Sequence, residues 1–218
     1  MDIERINDIV LPAVPETLIM VAVSSLIGVI LGLVLGIILY VTKEGGLKEN
    51  RTVYRILDVI INVIRSLPFI VLMLILVPLT KLIVGRRIGL QASIVPLTVT
   101  AIPFLARLFE GNFNEIDEGI IEAAKAMGSN TWTIVKKVVL KEALPSIINS
   151  ITMTVINLIG LSAIVGTIGG GGLGDVALRY GYQRNQLDIL WASCIAIIII
   201  VQIVQIIGKN LSKRLNKK

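Results

Sequence analysis

Five stretches of this chain are long, apolar and nearly free of charge, and they constrain its fold more than any other feature. They run from Leu18 to Tyr40, about Val59 to Leu79, about Ala92 to Ala106, about Ile147 to Ile168 and about Ile189 to Ile207. A hydrocarbon layer ~30 Å thick is crossed by about 20 apolar residues wound as a helix. The first run holds no charged residue, and the second is interrupted by Arg65 alone. The third is short and carries Pro96 and Pro103. The fifth contains four consecutive isoleucines, Ile197 to Ile200. The runs are continuous rather than alternating, which argues against a β-barrel. Only 17% of the 218 residues are charged and mean hydropathy is +0.86. Soluble domains average about 25% charged, so this chain cannot wet a soluble surface. The expected fold class is an all-α membrane protein with about five transmembrane helices.

The basic residues give these helices a direction, because cytoplasmic loops are enriched in Lys and Arg. Most of the 21 basic residues fall in three places. Lys43, Lys48, Arg51 and Arg55 follow the first run. Arg107, Lys125, Lys136, Lys137 and Lys141 lie between the third and fourth. Lys209, Lys213, Arg214, Lys217 and Lys218 form the tail. The other side carries Arg5, Lys81, Arg86, Arg87, Arg179 and Arg184, and the first residues are acidic (Asp2, Glu4, Asp8, Glu16). Five spans then place the N-terminus outside and the C-terminus inside. The first run lacks a basic flank and is longer than a signal-peptide core, so it reads as an uncleaved anchor. The formal charge of +6 is thereby an orientation signal. A nucleic-acid partner is not expected, since aromatics make up only 5% of the residues and are not interleaved with the charges.

Several kinds of chemistry are excluded. The chain has no histidine and a single cysteine, Cys194. It can build no Ser-His-Asp or Cys-His nucleophile, no His-containing metal site and no internal disulfide. No catalytic residue and no metal ligand is assigned. A membrane enzyme would need proton-handling groups in the spans, and Asp58 is the only acid near one. Cys194 reads as a small apolar filler. No G-x-x-x-x-G-K-[ST] loop is present to cradle nucleotide phosphates, so any nucleotide-driven work needs another chain.

One loop stands out. Residues 107–145 are too polar to span and too long for a turn. Glu115, Asp117 and Glu118 precede the helical stretch 120–127 and complement its N-terminal dipole. Gly128 suits the stop. Ser129 or Asn130 can cap a second helix from Thr131 to about Leu144, and Pro145 fits the first turn of the fourth span. The pair is either an interfacial element lying on lipid, for which Trp132 is suited, or a docking knob for a cytosolic partner.

Glu122-Ala123-Ala124, three intervening residues, Gly128, nine more, then Val138-x-Leu140, resembles the EAA loop of type I ABC importer permeases. Lys141 stands where that pattern has proline. Arg65-Ser66-Leu67-Pro68-Phe69 resembles the Arg-x-x-Pro pattern of amino-acid permeases in the same group. The stretches 88–99 and 170–174, with Arg107, are similar to the permease of methionine importers. The resemblance implies an ABC type-1 transmembrane domain over 18–211, with the loop at about 115–145, after an extracytoplasmic segment 1–17 and before a basic cytoplasmic tail 212–218. It implies a homodimer in a prokaryotic cell membrane, two cytosolic ATPase subunits that bind the ATP and Mg, and an extracytoplasmic substrate-binding protein. The chain itself would hold no cofactor. Methionine, D or L, is the implied substrate, with another amino acid or small metabolite as the alternative. Glu122, Ala123, Ala124, Met127 and Gly128 would couple to the ATPase.

The remaining candidates keep two readings each. Gly170, Gly171, Gly172 and Gly174 fit G-x-G-x-x-G formally, but no strand precedes them, so a dinucleotide site is rejected. They form either a flexible turn or a surface that touches the binding protein. Arg65 either pairs within the chain, sharing a helical face with Asp58 and Asn62, or meets substrate and gates the path; Pro68 is expected to kink its helix. In the fourth span, Met153, Asn157 and Ser162 either pack against neighbouring helices or line a substrate path.

Overall fold

A computed structural model describes residues 3–216, with side chains from Asn7 onward. Asp2, Lys217, Lys218 and the side chains of Glu4 and Arg5, which entered the charge pattern, lie outside the described residues. The chain is helical, with no strand among the described residues. In order, the helices are α1 (Ile3–Val10), α2 (Ala13–Thr42), α3 (Arg51–Ser66), α4 (Phe69–Ile75), α5 (Val77–Val84), α6 (Leu90–Asn114) and α7 (Glu118–Ala126). There follow α8 (Thr131–Ile134), a π turn (Val135–Val139), α9 (Leu140–Glu142) and α10 (Leu144–Val165). A second π turn (Gly166–Gly170), α11 (Gly172–Val176), a third π turn (Ala177–Tyr182) and α12 (Leu187–Leu215) complete the chain.

Among the described residues, four helical stretches are long and apolar enough to cross a membrane: Asn7–Thr42, Leu90–Asn114, Leu144–Gly170 and Leu187–Leu215. The second apolar run differs from the expected straight span. It divides into α3 and α4, which meet at 108° and count as a fifth span only as a bent pair. The cause is local. Pro68 has no N–H and disfavours helical backbone at the residue before it, and Leu67 is extended at φ −78, ψ 131. The third span is longer than expected. It continues to Asn114, so Arg107 lies inside a helix rather than opening a loop. Helix runs through residues 18 and 211, since α2 begins at Ala13 and α12 continues to Leu215.

The most extensive packing joins α2 to α6. Ser24, Gly28, Gly32 and Gly36 lie four apart on one buried face of α2. A Cβ at Gly28 would stand 2.7 Å from that of Ala101, one at Gly32 2.7 Å from that of Leu105, and one at Gly36 2.9 Å from that of Phe109. Within lipid, helices gain from close van der Waals approach rather than from leaving water, and missing side chains permit that approach. Ser24 Oγ donates to the Ile94 carbonyl across the same contact at 3.3 Å. Two larger clusters of buried side chains follow. One joins Met20, Leu97, Leu158, Leu173 and Ile189. The other joins Tyr40, Phe109, Phe113, Ile121, Ile134 and Val139 beneath α7. At the far end, Ser212 Oγ donates to the Pro145 carbonyl at 3.1 Å and ties the tail of α12 to the start of α10.

Candidate functional site

The loop between α6 and α10 folds into a capped two-helix knob. Asp117 caps α7, its carboxylate accepting the Gly119 N–H at 2.8 Å. Gly128 ends α7 in the left-handed region at φ +76, and its N–H and that of Ser129 return to the carbonyls of Lys125 and Ala124. A Cβ at Gly128 would have no neighbour within 4 Å, so the conformation, not the space, calls for glycine. Asn130, rather than Ser129, caps α8 by accepting the Thr133 N–H at 2.9 Å. The second helix differs from one regular run to Leu144. It passes through the π turn 135–139 and ends at Glu142, and Pro145 sits in the first turn of α10.

The five proposed coupling residues do not share one surface. Ala124 is 3% exposed and packs in the cluster with Ile121 and Ile134. Glu122, Ala123, Met127 and Gly128 are exposed, Met127 at 77%. Ile120, Ala123 and Met127 recur at helical spacing, so the knob shows an apolar stripe outward while Ile121 and Ala124 seat it inward. Beside it, the loop 43–50 is pinned by Glu49, whose carboxylate accepts the Gly45 N–H and pairs with Arg51. Those bonds hold the Glu49 carboxyl below its ordinary value.

At the opposite end the chain turns through its glycines. Gly169, Gly171 and Gly172 have positive φ. The turn is not an exposed, flexible one: Gly170, Gly172 and Gly174 are buried and Gly171 is half-buried. The Glu16 carboxylate accepts the Gly172 N–H at 2.7 Å, and Thr17 Oγ1 accepts the Leu173 N–H at 2.9 Å. A Cβ at Gly174 would collide with the backbone of Ala163.

The charges within the spans pair differently from the expectation. Asp58 and Asn62 face Arg107 of α6, not Arg65. Arg107 donates to Asp58, to Asn62 Oδ1 at 3.3 Å and to Glu110 at 2.7 Å, and the Glu110 side chain is 5% exposed. Arg65 is exposed. It edges a cavity of about 190 Å³ with Phe69, Leu72, Thr100, Pro103 and Phe104, next to the Pro68 corner. Asp58 and Asn62 stand one turn apart on α3 and both meet Arg107 of α6.

Met153, Asn157 and Ser162 also separate. Met153 and Asn157 are exposed on one face of α10 with Gly160 and Ile164. Ser162 is buried and donates to the Ile159 carbonyl at 2.7 Å. Ser150, which accepts from Asn112 at 2.8 Å, and Thr154 share the buried side.

A second cavity, about 230 Å³, lies between α4, α5 and the first turns of α6, reaching Val165 and Gly170. Neither it nor the Glu16 and Thr17 clamp figured among the sequence candidates. The four-residue spacing of Gly28, Gly32 and Gly36 was a readable signal for the α2–α6 contact. Nothing local marks Glu16 as the partner of a glycine 156 residues away.

The chain matches the family model described as "Binding-protein-dependent transport system inner membrane component" over residues 28–217. It is 48% identical over 212 residues to the "Probable D-methionine transport system permease protein MetI" of Vibrio cholerae, covering 97% of this chain and 94% of that one. It is 42% identical over 180 residues to the "Methionine import system permease protein MetP" of Bacillus subtilis, covering 83% and 81%. Its fold superposes with a TM-score of 0.94 on a chain of the MetNI methionine ABC transporter in an inward-facing conformation, at 42% identity over 96% of this chain and 97% of that one.

Proposed function

The chain belongs to the family of binding-protein-dependent transport system inner membrane components, and from that membership we infer that it is the permease subunit of a bacterial methionine ABC importer. It is not the enzyme of that machine; it works beside ATPase subunits. The observation that carries the substrate is the identity of 48% with a D-methionine permease over 97% of this chain. Two ATPase subunits bind ATP and Mg on the cytoplasmic side, two copies of this chain enclose the path, and an extracytoplasmic protein delivers methionine.

The orientation that fits has α7 in the cytosol and the glycine turn outside. The knob offers an ATPase an apolar stripe, Ile120, Ala123 and Met127, with the Glu122 carboxylate free to accept a charge-assisted hydrogen bond. Its caps at Asp117 and Gly128 make it rigid enough to pass movement on. Met153 and Asn157, on the open face of α10, line the path, and Arg65 stands at the Pro68 corner beside the middle of α6. Ser162 serves packing instead. Of the four candidate glycines Gly170, Gly171, Gly172 and Gly174, only the half-buried Gly171 remains available to the delivering protein.

Proteoliposomes holding permease, ATPase and binding protein test this. Labelled methionine is expected to accumulate on addition of ATP, and unlabelled methionine to compete. Competition by another amino acid, with none by methionine, would move the substrate to the alternative. Gly128→Val, strained at φ +76, is expected to lower uptake at least tenfold while the complex still assembles; unchanged uptake and ATPase stimulation would sink the coupling role.

A further inference from the structure

We propose that the cavity between α4, α5 and the start of α6 is a binding site for the zwitterion of an amino acid with an unbranched apolar side chain. The proposal rests on the methionine-import reading above and gives it a place in this chain. At about 230 Å³ the cavity falls below the ~300–1,000 Å³ typical of drug-sized sites, which suits a small metabolite. Its wall is apolar, built from Met73, Leu74, Val77 and Val165.

The polar groups are few and complementary to a zwitterion. Arg87 stands exposed at the mouth with no acidic partner among the described residues. A guanidinium is suited to grip a carboxylate by two parallel hydrogen bonds. Thr80 is 3% exposed, but its hydroxyl keeps surface open to the cavity and makes no hydrogen bond among the described residues. It is free to accept a hydrogen bond from a ligand. Ser93 Oγ donates to the Gly89 carbonyl at 2.9 Å, which leaves its lone pairs free to accept. Pro96 lacks the N–H that would bond the Ala92 carbonyl, and both residues line the cavity. Thr80, Ser93 and Ala92 thus supply acceptors for an ammonium group, while Arg87 supplies the cation for a carboxylate. A phospholipid could place its phosphate on Arg87, but its acyl chain would then bury those acceptors against hydrocarbon, at a cost.

The smaller cavity beside Arg65 lies further along α6. Gly89, Ser93 and Pro96 line the larger one, and Thr100 and Pro103 line the smaller. These positions recur at intervals of three and four along one stripe of the helix.

The test uses the permease–ATPase complex in nanodiscs, without binding protein or nucleotide, and labelled L-methionine. Saturable binding is expected, with L-norleucine competing and methioninamide, which lacks the carboxylate, at least tenfold weaker. Arg87→Gln, Thr80→Val and Leu74→Trp are each expected to weaken methionine binding at least tenfold. Methioninamide is expected to be indifferent to Arg87→Gln. Ile83→Trp, on α5 but outside the cavity, adds the same bulk and is expected to bind as the parent does. Co-elution with the ATPase reports folding of every variant. Binding unchanged in the three cavity variants overturns the proposal, as does a phospholipid found by native mass spectrometry that Leu74→Trp expels and methionine cannot displace. Uptake by the full complex separates the two levels. If it imports methionine and the cavity variants bind and transport normally, the site fails and the function stands. If it imports no methionine, both fall.

Discussion

Two apolar helices of this protein are interrupted, and the interruptions are held in opposite ways. At Pro68 the chain turns through 108° between α3 and α4, and Ser66, Pro68 and Arg65 are exposed. At Gly166–Gly174 it turns through three positive-φ glycines that are buried or half-buried and clamped by Glu16 and Thr17 of α2. The proline corner exists because its backbone cannot do otherwise. The glycine corner could adopt many shapes, and distant residues choose one. An interruption encoded locally needs little support, whereas a permissive one must be fixed from elsewhere.

That contrast predicts a descending series of effects on unfolding in detergent. Gly174→Leu drives a side chain into the backbone of Ala163 and is expected to cost about 3 kcal/mol or more, seen as loss of folded protein on size exclusion. Next, Arg107→Gln leaves Glu110 without its cation. Breaking a buried pair costs ~3–5 kcal/mol, and since Arg107 is a quarter exposed about 2–3 is expected, with α3 loosening first in hydrogen exchange. Glu16→Ala removes a charge-assisted bond to Gly172 worth ~1.5–3 kcal/mol and is expected to raise exchange at residues 170–174 without disturbing α3. Smallest is Pro68→Ala, an exposed change expected to shift stability by no more than about 0.5 kcal/mol. Spin-label distances between residues 60 and 72 should lengthen as the bend relaxes, because Pro68 is what bars helical backbone at Leu67. A bend that survives unchanged in that variant, or a harmless Gly174→Leu, would break the comparison.

The same contrast explains how much was legible in the sequence. Four of the five apolar runs, the stop at Gly128, a cap at Ser129 or Asn130 and the kink at Pro68 could be read because each depends on residues within one or two turns. The size of the kink could not, nor could the course of the third span past Arg107. That residue looked like a loop charge, and only its pairing with Asp58 and Glu110, from two helices, lets it sit inside one. Glycines that looked exposed proved buried for a similar reason: what covers them is α2, more than a hundred residues earlier. Of the candidate site, the α7 knob was visible as a motif. The split between its outward Ala123 and inward Ala124 depended on where Phe113 and Ile134 stand. The cavity beside Arg87 was invisible, since α4, α5 and α6 each supply only part of it.

The length of α6 has a mechanical consequence. Its 25 residues make a rod about 37 Å long. The Arg87 cavity sits at one end, and α7 follows within four residues of the other. Bonded along its middle to the glycine face of α2, the rod tilts only with that neighbour. A tilt of about 5° displaces one tip against the other by about 3 Å on a helix of this length. Such a lever needs no bending and no relay of side chains to make both ends of the molecule answer to the same push.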